Sequence, residues 1–200
     1  MNLSLKHQTQ IYLGLFERET HPWLIRLSQG IETAIDIGAA YGEYTIFFLK
    51  KTNAAKVLAF EPDVAWSPFL RENLRLNAAD DANYSDRLEL SQVLVGESDG
   101  GNTVTLDSMM ASVRSPCLIK MDVDGAEVDI LKGAKTLNAL PDVRWLIETH
   151  SEALERQSVE LLRAAGFETE IIRNAWWRVL VPELRPGKHN RWLAAWKTSA

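Results

Sequence analysis

Four groups of residues in this chain set acids, an imidazole and glycines at spacings that can do chemistry. The first is DIGAAYG, with Asp36, Gly38 and Gly42. Glycine lacks a Cβ, so such a loop lets backbone turn sharply and approach a ligand closely. Its G-x-x-x-G spacing departs from the G-x-G-x-x-G of dinucleotide sites. The second is Glu61, nineteen residues after Gly42. A carboxylate at that distance can accept both hydroxyls of a ribose. Without a ligand, the loop reads as a tight strand-to-helix turn and Glu61 as a solvated acid before Pro62. The third is KMDVDGAE, residues 120–127. Asp124 and Glu127 fit a capping box there, as N-cap and N3, which leaves Asp122 for chemistry. The fourth is Glu148-Thr149-His150. His150 either exchanges a proton near neutral pH or stands at a helix N-terminus facing water.

All four groups fall at the ends of apolar runs, which predict the elements that position them. TAIDIG and AKVLAFEP read as buried strands, with a helix over 42–51 between them. Asp63 is the expected cap of a helix reaching about residue 77, and 77–86 reads as a loop. RLELSQVLVG is a third strand, VTLDSMM is ambiguous, and CLIKMDV is a fourth strand followed by a helix over 125–138. VRWLIETH is a fifth strand, and 151–165 is a helix that ends at Gly166. FETEIIR and RWLAAWK form two last strands around a Pro/Gly-containing segment. Upstream, residues 3–29 have helical spacing that His21-Pro22 divides into two helices, with Gly30 closing the second. Strands alternating with helices predict an α/β protein with a parallel sheet covered on both faces. Ligands of such sheets bind beyond the carboxyl ends of the strands, where these groups lie.

Composition bounds the possibilities. The chain has 200 residues, 46% hydrophobic and 24% charged, a globular balance that excludes a disordered or fibrous chain. The net charge of −5 argues against nucleic acid as a bulk partner. The charge is unevenly spread: residues 171–200 hold six Lys/Arg and one Glu, and residues 1–170 hold sixteen Lys/Arg and twenty-six Asp/Glu. Trp176, Trp177, Arg178, Arg185, Lys188, His189 and Arg191 make an aromatic and basic set, suited to a glycosylated or anionic small molecule or to core tryptophans with a charged rim. Trp192 and Trp196 are expected in the core. One cysteine, Cys117, allows neither an internal disulfide nor a cysteine-based zinc site. The opening MNLSLKHQTQ lacks a signal-peptide apolar region and no run is long enough to span a membrane, so a cytoplasmic protein is expected.

Taken together, these residues resemble the FkbM family of class I S-adenosyl-L-methionine-dependent methyltransferases. The carriers are DIGAAYGEYT (36–45), AFEPD (59–63), the spacing of Leu70, Asn73 and Asn77, TLDS (105–108), KMDVDGAE (120–127), LKGA (131–134) and LRAAGF (162–167). The resemblance covers residues 30–170, with Ala40 where the family usually has Asn. It implies a three-layer Rossmann-like sandwich whose seven-stranded, mostly parallel sheet has its last strand antiparallel. Residues 1–30 would be a helical extension, and 31–200 the domain that binds S-adenosyl-L-methionine. Cofactor contacts are implied from Asp36, Gly38, Ala39, Tyr41, Gly42 and Thr45, from Glu61 to the ribose, and from Asp122 near the methyl donor. The implied reaction is O-methylation of a sugar or related small molecule. A methyl sulfonium is already activated, so rate can come from positioning, helped by a base among Asp122, Glu148 and His150. No metal is assigned, although carboxylates such as Asp122 and Glu148 could hold a divalent one. A non-catalytic cofactor-binding protein of the same fold is the alternative; an NAD-dependent oxidoreductase is disfavoured by the glycine spacing.

Overall fold

The computed structural model describes residues 14–15, 17–78, 84–176 and 189–197. Its strands in chain order are β1 (Thr33–Ile37), β2 (Lys56–Phe60), β3 (Leu88–Ser91), β4 (Leu94–Val95), β5 (Thr103–Val104), β6 (Cys117–Met121), β7 (Val143–Thr149), β8 (Glu168–Ile172) and β9 (Arg191–Trp196). Its helices are α1 (His21–Leu27), α2 (Glu43–Lys51), α3 (Ser67–Ala78), α4 (Tyr84–Arg87), α5 (Glu127–Lys132), α6 (Lys135–Asn138) and α7 (Glu152–Ala164), with 3-10 turns at Arg18–Thr20 and Asp107–Ser112. Seven strands form one sheet in the order β3-β2-β1-β6-β7-β9-β8. All pairings are parallel except those of β9, which runs antiparallel to β7 and β8. The expected α/β sandwich with an antiparallel last strand is therefore present.

The strands read as continuous apolar runs because both faces of the sheet are covered. Alternate side chains serve opposite cores. Ile35, Ile37, Ile119, Met121, Trp145 and Ile147 pack with α5, α6 and α7 through Ile130, Leu137 and Leu162. Ala34, Leu118 and Leu146 pack with α1, α2 and α3 through Leu24, Phe48 and Leu70. Asp36, Lys120 and Glu148 occupy positions of this second alternation, so three buried ionisable groups enter this face. Trp192 is buried, and Trp196 is partly buried with its ring stacked on Trp23.

Several boundaries differ from expectation. The third strand ends at Ser91, and Leu94–Val95 joins Thr103–Val104 in a separate parallel pair; of the ambiguous VTLDSMM stretch, Val104 ends that pair and residues 107–110 lie in the 3-10 turn. Asp63 closes a turn by accepting from Ala65 N, and α3 starts only at Ser67. The region read as a loop contains α4. The helix expected over 125–138 is two helices separated at Gly133-Ala134. Pro22 stands in the first turn of α1, where its missing N–H costs nothing. Of the first upstream helix, residues 17–20 are described and form only the 3-10 turn Arg18–Thr20 after a left-handed Glu17, while most of its span lies outside the described residues. The α7 helix behaves as expected: the Ser151 hydroxyl accepts from Leu154 N, and Gly166 N and Phe167 N bond back to Arg163 O and Leu162 O. Among the described residues, no helix is long and apolar enough to cross a membrane.

The break between α5 and α6 has a steric cause. A Cβ on Gly133 would lie 2.1 Å from the Gly96 carbonyl oxygen, so only glycine lets this helix end pass the strand end. Asp107 then accepts from Thr136 N and Leu137 N, both at 2.9 Å, and restarts the helix. Gly133→Ala is expected to destabilise the fold by about 1–3 kcal/mol through overpacking. Thermal denaturation should show this as a melting temperature lower by roughly 2–4 °C per kcal/mol.

Candidate active site at the strand ends

Parallel register brings the ends of β1, β2, β6 and β7 to one edge. Asp36 pairs with Lys120 across β1 and β6, and Met121 with Ile147 across β6 and β7. One step further on, Gly38 touches Asp122: a Cβ on Gly38 would meet the Asp122 carbonyl oxygen at 1.9 Å. The loop from β1 is tied to β2 by Gly38 N and Ala39 N, which donate to Phe60 O. Asn73 Nδ2 of α3 holds Tyr41 O at 3.0 Å, and the Tyr41 ring packs edge-on against Trp66 at 4.7 Å.

Glu61 lies where β2 ends and is buried. Its Oε2 accepts from Ala40 N at 2.8 Å and its Oε1 from Asp63 N at 3.0 Å. The acid thus closes the glycine loop, which the reading as a solvated acid does not provide for. Ala40 adopts a left-handed backbone, φ 43. That conformation aims its N–H at Glu61 but brings its own Cβ against the backbone.

Beneath the loop, Asp36 and Thr45 are fully buried, and Thr45 Oγ1 donates to Asp36 Oδ2 at 2.6 Å. Lys120 Nζ lies 3.1 Å from Asp36 Oδ1 and donates to Gly38 O at 2.8 Å. Burial pushes the Lys120 ammonium down, but Asp36 and then Asp122 and Glu17 outweigh it and hold it above its ordinary value. Lys120 was missed as a candidate at the sequence level, although a lysine inside the run CLIKM is itself a signal. Such a charge is buried only with a partner.

The second half of the site gathers around His150. Its Nδ1 lies 2.7 Å from Glu127 Oε1, and its Nε2 lies 3.6 Å from Asp122 Oδ1, 3.4 Å from Asp124 Oδ1 and 3.8 Å from Glu148 Oε2. His150 is therefore a part-buried, acid-flanked group and not a water-facing helix end. The capping box does not form: Ala126 is the N-cap of α5 with no side-chain cap, and Glu127 is its first residue. Starting the helix there turns the buried Glu127 carboxylate toward His150 instead of toward the backbone. Burial pushes the His150 imidazolium down, while the Glu127 hydrogen bond and the charges of Asp122, Glu127 and Asp124 outweigh it and raise it. Asp122, Glu148 and His150 each bring a ligand atom within 4.8 Å of the others, an arrangement that suits a divalent cation.

The basic, aromatic set disperses. Arg191 Nη2 is bound to Glu155 Oε1 at 2.6 Å and His189 Nε2 lies 3.4 Å from Glu155 Oε2, so both are engaged by the buried acid of α7. Trp176 is exposed. Trp177, Arg178, Arg185 and Lys188 lie outside the described residues.

Residues 97–174 match the methyltransferase FkbM domain family. No curated protein sequence matches the chain. In three dimensions it is similar to methyltransferase FkbM from Methylobacillus flagellatus KT, at 20% identity and a TM-score of 0.64, over 82% of this chain and 43% of that one. The chain thus spans under half the length of that relative. It is also similar to an O-methyltransferase from Bacillus cereus solved in complex with SAH, at 16% identity and a TM-score of 0.61, over 90% and 80% of the two chains. Precorrin-6y C5,15-methyltransferase from Geobacter metallireducens GS-15 gives 13% identity and a TM-score of 0.59, over 90% and 87%. The resemblance to FkbM methyltransferases and the methyltransferase fold are both borne out.

Replacing Ala40 by Gly should relieve the left-handed backbone and stabilise the protein by about 1 kcal/mol. A melting temperature higher by roughly 2–4 °C is the expected reading; an unchanged or lower value would show that Ala40 carries no strain.

Proposed function

We propose that this chain, with its FkbM-domain match, is an S-adenosyl-L-methionine-dependent methyltransferase that methylates a hydroxyl oxygen of a small molecule or sugar. The observation that carries the reading is the meeting of a glycine loop closed by Glu61 with an acid-flanked histidine on one strand edge. The residues suit the cofactor. Each Glu61 oxygen accepts one backbone N–H and keeps lone-pair capacity for a ribose hydroxyl. Asp122 and Glu148 put negative charge beside the loop, where an amine and a sulfonium would be favoured. Gly38, Ala39, Tyr41 and Gly42 would hold the cofactor through the loop, while Asp36 and Thr45 support it from below. When bound, the cofactor supplies an activated methyl group.

The chain's own contribution would be orientation and a proton acceptor. In the neutral ring, Nδ1–H donates to Glu127, which leaves Nε2 as the acceptor, facing Asp122, Asp124 and Glu148. A hydroxyl placed there would give up its proton to Nε2. A cavity of about 350 Å³ lies between the N-terminal segment and α2, lined by Glu17, His21, Leu24, Tyr44 and Phe47 among others, and Asp122, Glu148 and His150 are not part of its lining. The engagement of Arg191 and His189 by Glu155 withdraws two of the groups that favoured an anionic acceptor. A second reading has Asp122, Glu148 and His150 hold a divalent cation that binds the acceptor oxygen, and their mutual spacing supports it. Chelation separates the two: turnover lost to EDTA and restored by Mg²⁺ supports the cation, and turnover indifferent to EDTA supports His150 alone.

Calorimetry with S-adenosylhomocysteine should show binding that Glu61→Ala weakens at least tenfold, about 1.4 kcal/mol. No binding by the wild type at about 1 mM, weaker than any expected cofactor affinity, would overturn the assignment. The neutral His150 ring is the active base, and its raised value moves that form to higher pH. We therefore expect kcat/KM to climb with pH about a midpoint above the ordinary histidine value of 6.5. Glu127→Gln should lower the midpoint, and His150→Gln should remove the limb and reduce kcat by about 10²–10⁴.

A further inference from the structure

Resting on the cofactor reading above, we infer that Lys120 is a positioning residue for the glycine loop, and that Tyr44 and Glu17 tie the N-terminal segment to the same loop. Lys120 is buried within the sheet layer, yet its ammonium reaches two partners on the neighbouring element: the Asp36 carboxylate at 3.1 Å and the Gly38 carbonyl at 2.8 Å. Asp36 is the last but one residue of β1, and Gly38 is the first beyond it. One ammonium therefore fixes the direction in which the chain leaves the strand. Thr45 holds the other Asp36 oxygen, so the first turn of α2 is fixed to the same point.

The network continues away from the sheet. The Lys120 ammonium lies 4.8 Å from the centre of the Tyr44 ring, a cation–π distance. The Tyr44 hydroxyl donates to Glu17 Oε2 at 2.7 Å and lies 3.4 Å from the Thr20 hydroxyl. Glu17 is buried and in a left-handed conformation, φ 47, just before the 3-10 turn that leads into α1. Buried charge and a backbone of this kind persist only where the surroundings demand them. Glu17 and Tyr44 also line the cavity between the N-terminal segment and α2. The wall of this cavity and the glycine loop are in this way joined through three side chains.

A role in positioning differs from a role in folding alone, because the ammonium has two tasks: neutralising Asp36 and holding Gly38 O. The double variant Lys120→Met/Asp36→Asn removes both charges of the pair together, so neither member is left buried without the other. The loop nevertheless loses its hold on the Gly38 carbonyl. We expect this variant to melt near the wild type but to bind S-adenosylhomocysteine at least tenfold more weakly. Amide exchange should rise across 38–42 and stay unchanged in α7. Tyr44→Phe, which keeps the ring over Lys120 but drops the bond to Glu17, should raise the cofactor Kd by a factor of about three to ten, with exchange rising in 17–20. Should the double variant fail to fold, Tyr44→Phe carries the test by itself. Wild-type binding with cofactor affinity and loop exchange in the folded variants within twofold of wild type overturns the inference and leaves the cofactor reading standing. A wild type that binds no S-adenosylhomocysteine overturns both.

Discussion

A methyl group on the Gly38 α-carbon would lie 1.9 Å from the carbonyl oxygen of Asp122. The ends of β1 and β6 are packed so closely that only glycine fits between them. The rest of the edge follows from that contact. It sets the loop against Asp122, and Lys120, two residues earlier in its strand, comes within reach of both Asp36 and Gly38 O. It also orients Asp122 toward β7, where Glu148 and His150 follow in register. A bulkier residue at Gly38 would push apart the two halves of the site.

Two ionic clusters, one buried and one open, stand on either side of this contact and do different work. Asp36, Lys120 and Thr45 form a closed set, with the acid and the ammonium almost wholly removed from solvent. Such a pair adds little net stability, but losing one partner costs about 3–5 kcal/mol, so it fixes one arrangement over others. His150, Asp122, Asp124 and Glu148 form the open set, with the buried Glu127 behind the imidazole. There the negative charge exceeds what one imidazolium can balance. That excess raises His150, and it would favour a positively charged ligand at the loop. The closed cluster serves as scaffold and the open one is where the proposed chemistry falls, although both come from acids at the ends of neighbouring strands.

The motif residues divide along the same line. In TLDS and LKGA, Asp107 caps α6 and Gly133 lets α5 pass Gly96, so these motifs keep the layer behind the sheet at the right height. Asn73, which falls in the spacing that carries the resemblance, holds the Tyr41 carbonyl and so serves the loop directly. Ala40 shows how the loop tolerates a residue other than Asn: its side chain is not used, because the contact to Glu61 is made by its backbone N–H.

By itself the sequence determined the alternation of strands and helices, the place where each strand of the large sheet begins, and the edge on which Glu61, Asp122, Glu148 and His150 lie. These are consequences of local apolar runs and of the rule that ligands meet parallel sheets at their carboxyl ends. Tertiary structure decided which acids are spent and which face the crevice. Asp36 looks as exposed to chemistry in sequence as Asp122 does, yet a lysine from another strand closes over it. Glu127 reads as a helix cap, yet the helix starts at it, and its carboxylate goes to a histidine 23 residues further along the chain. Arg191 belongs in sequence to a basic, aromatic set that suits an anionic molecule or a charged rim, yet Glu155 of α7 holds it. Each of these outcomes depends on a partner far away in sequence, and only the packing of the sheet and its helices brings the two together.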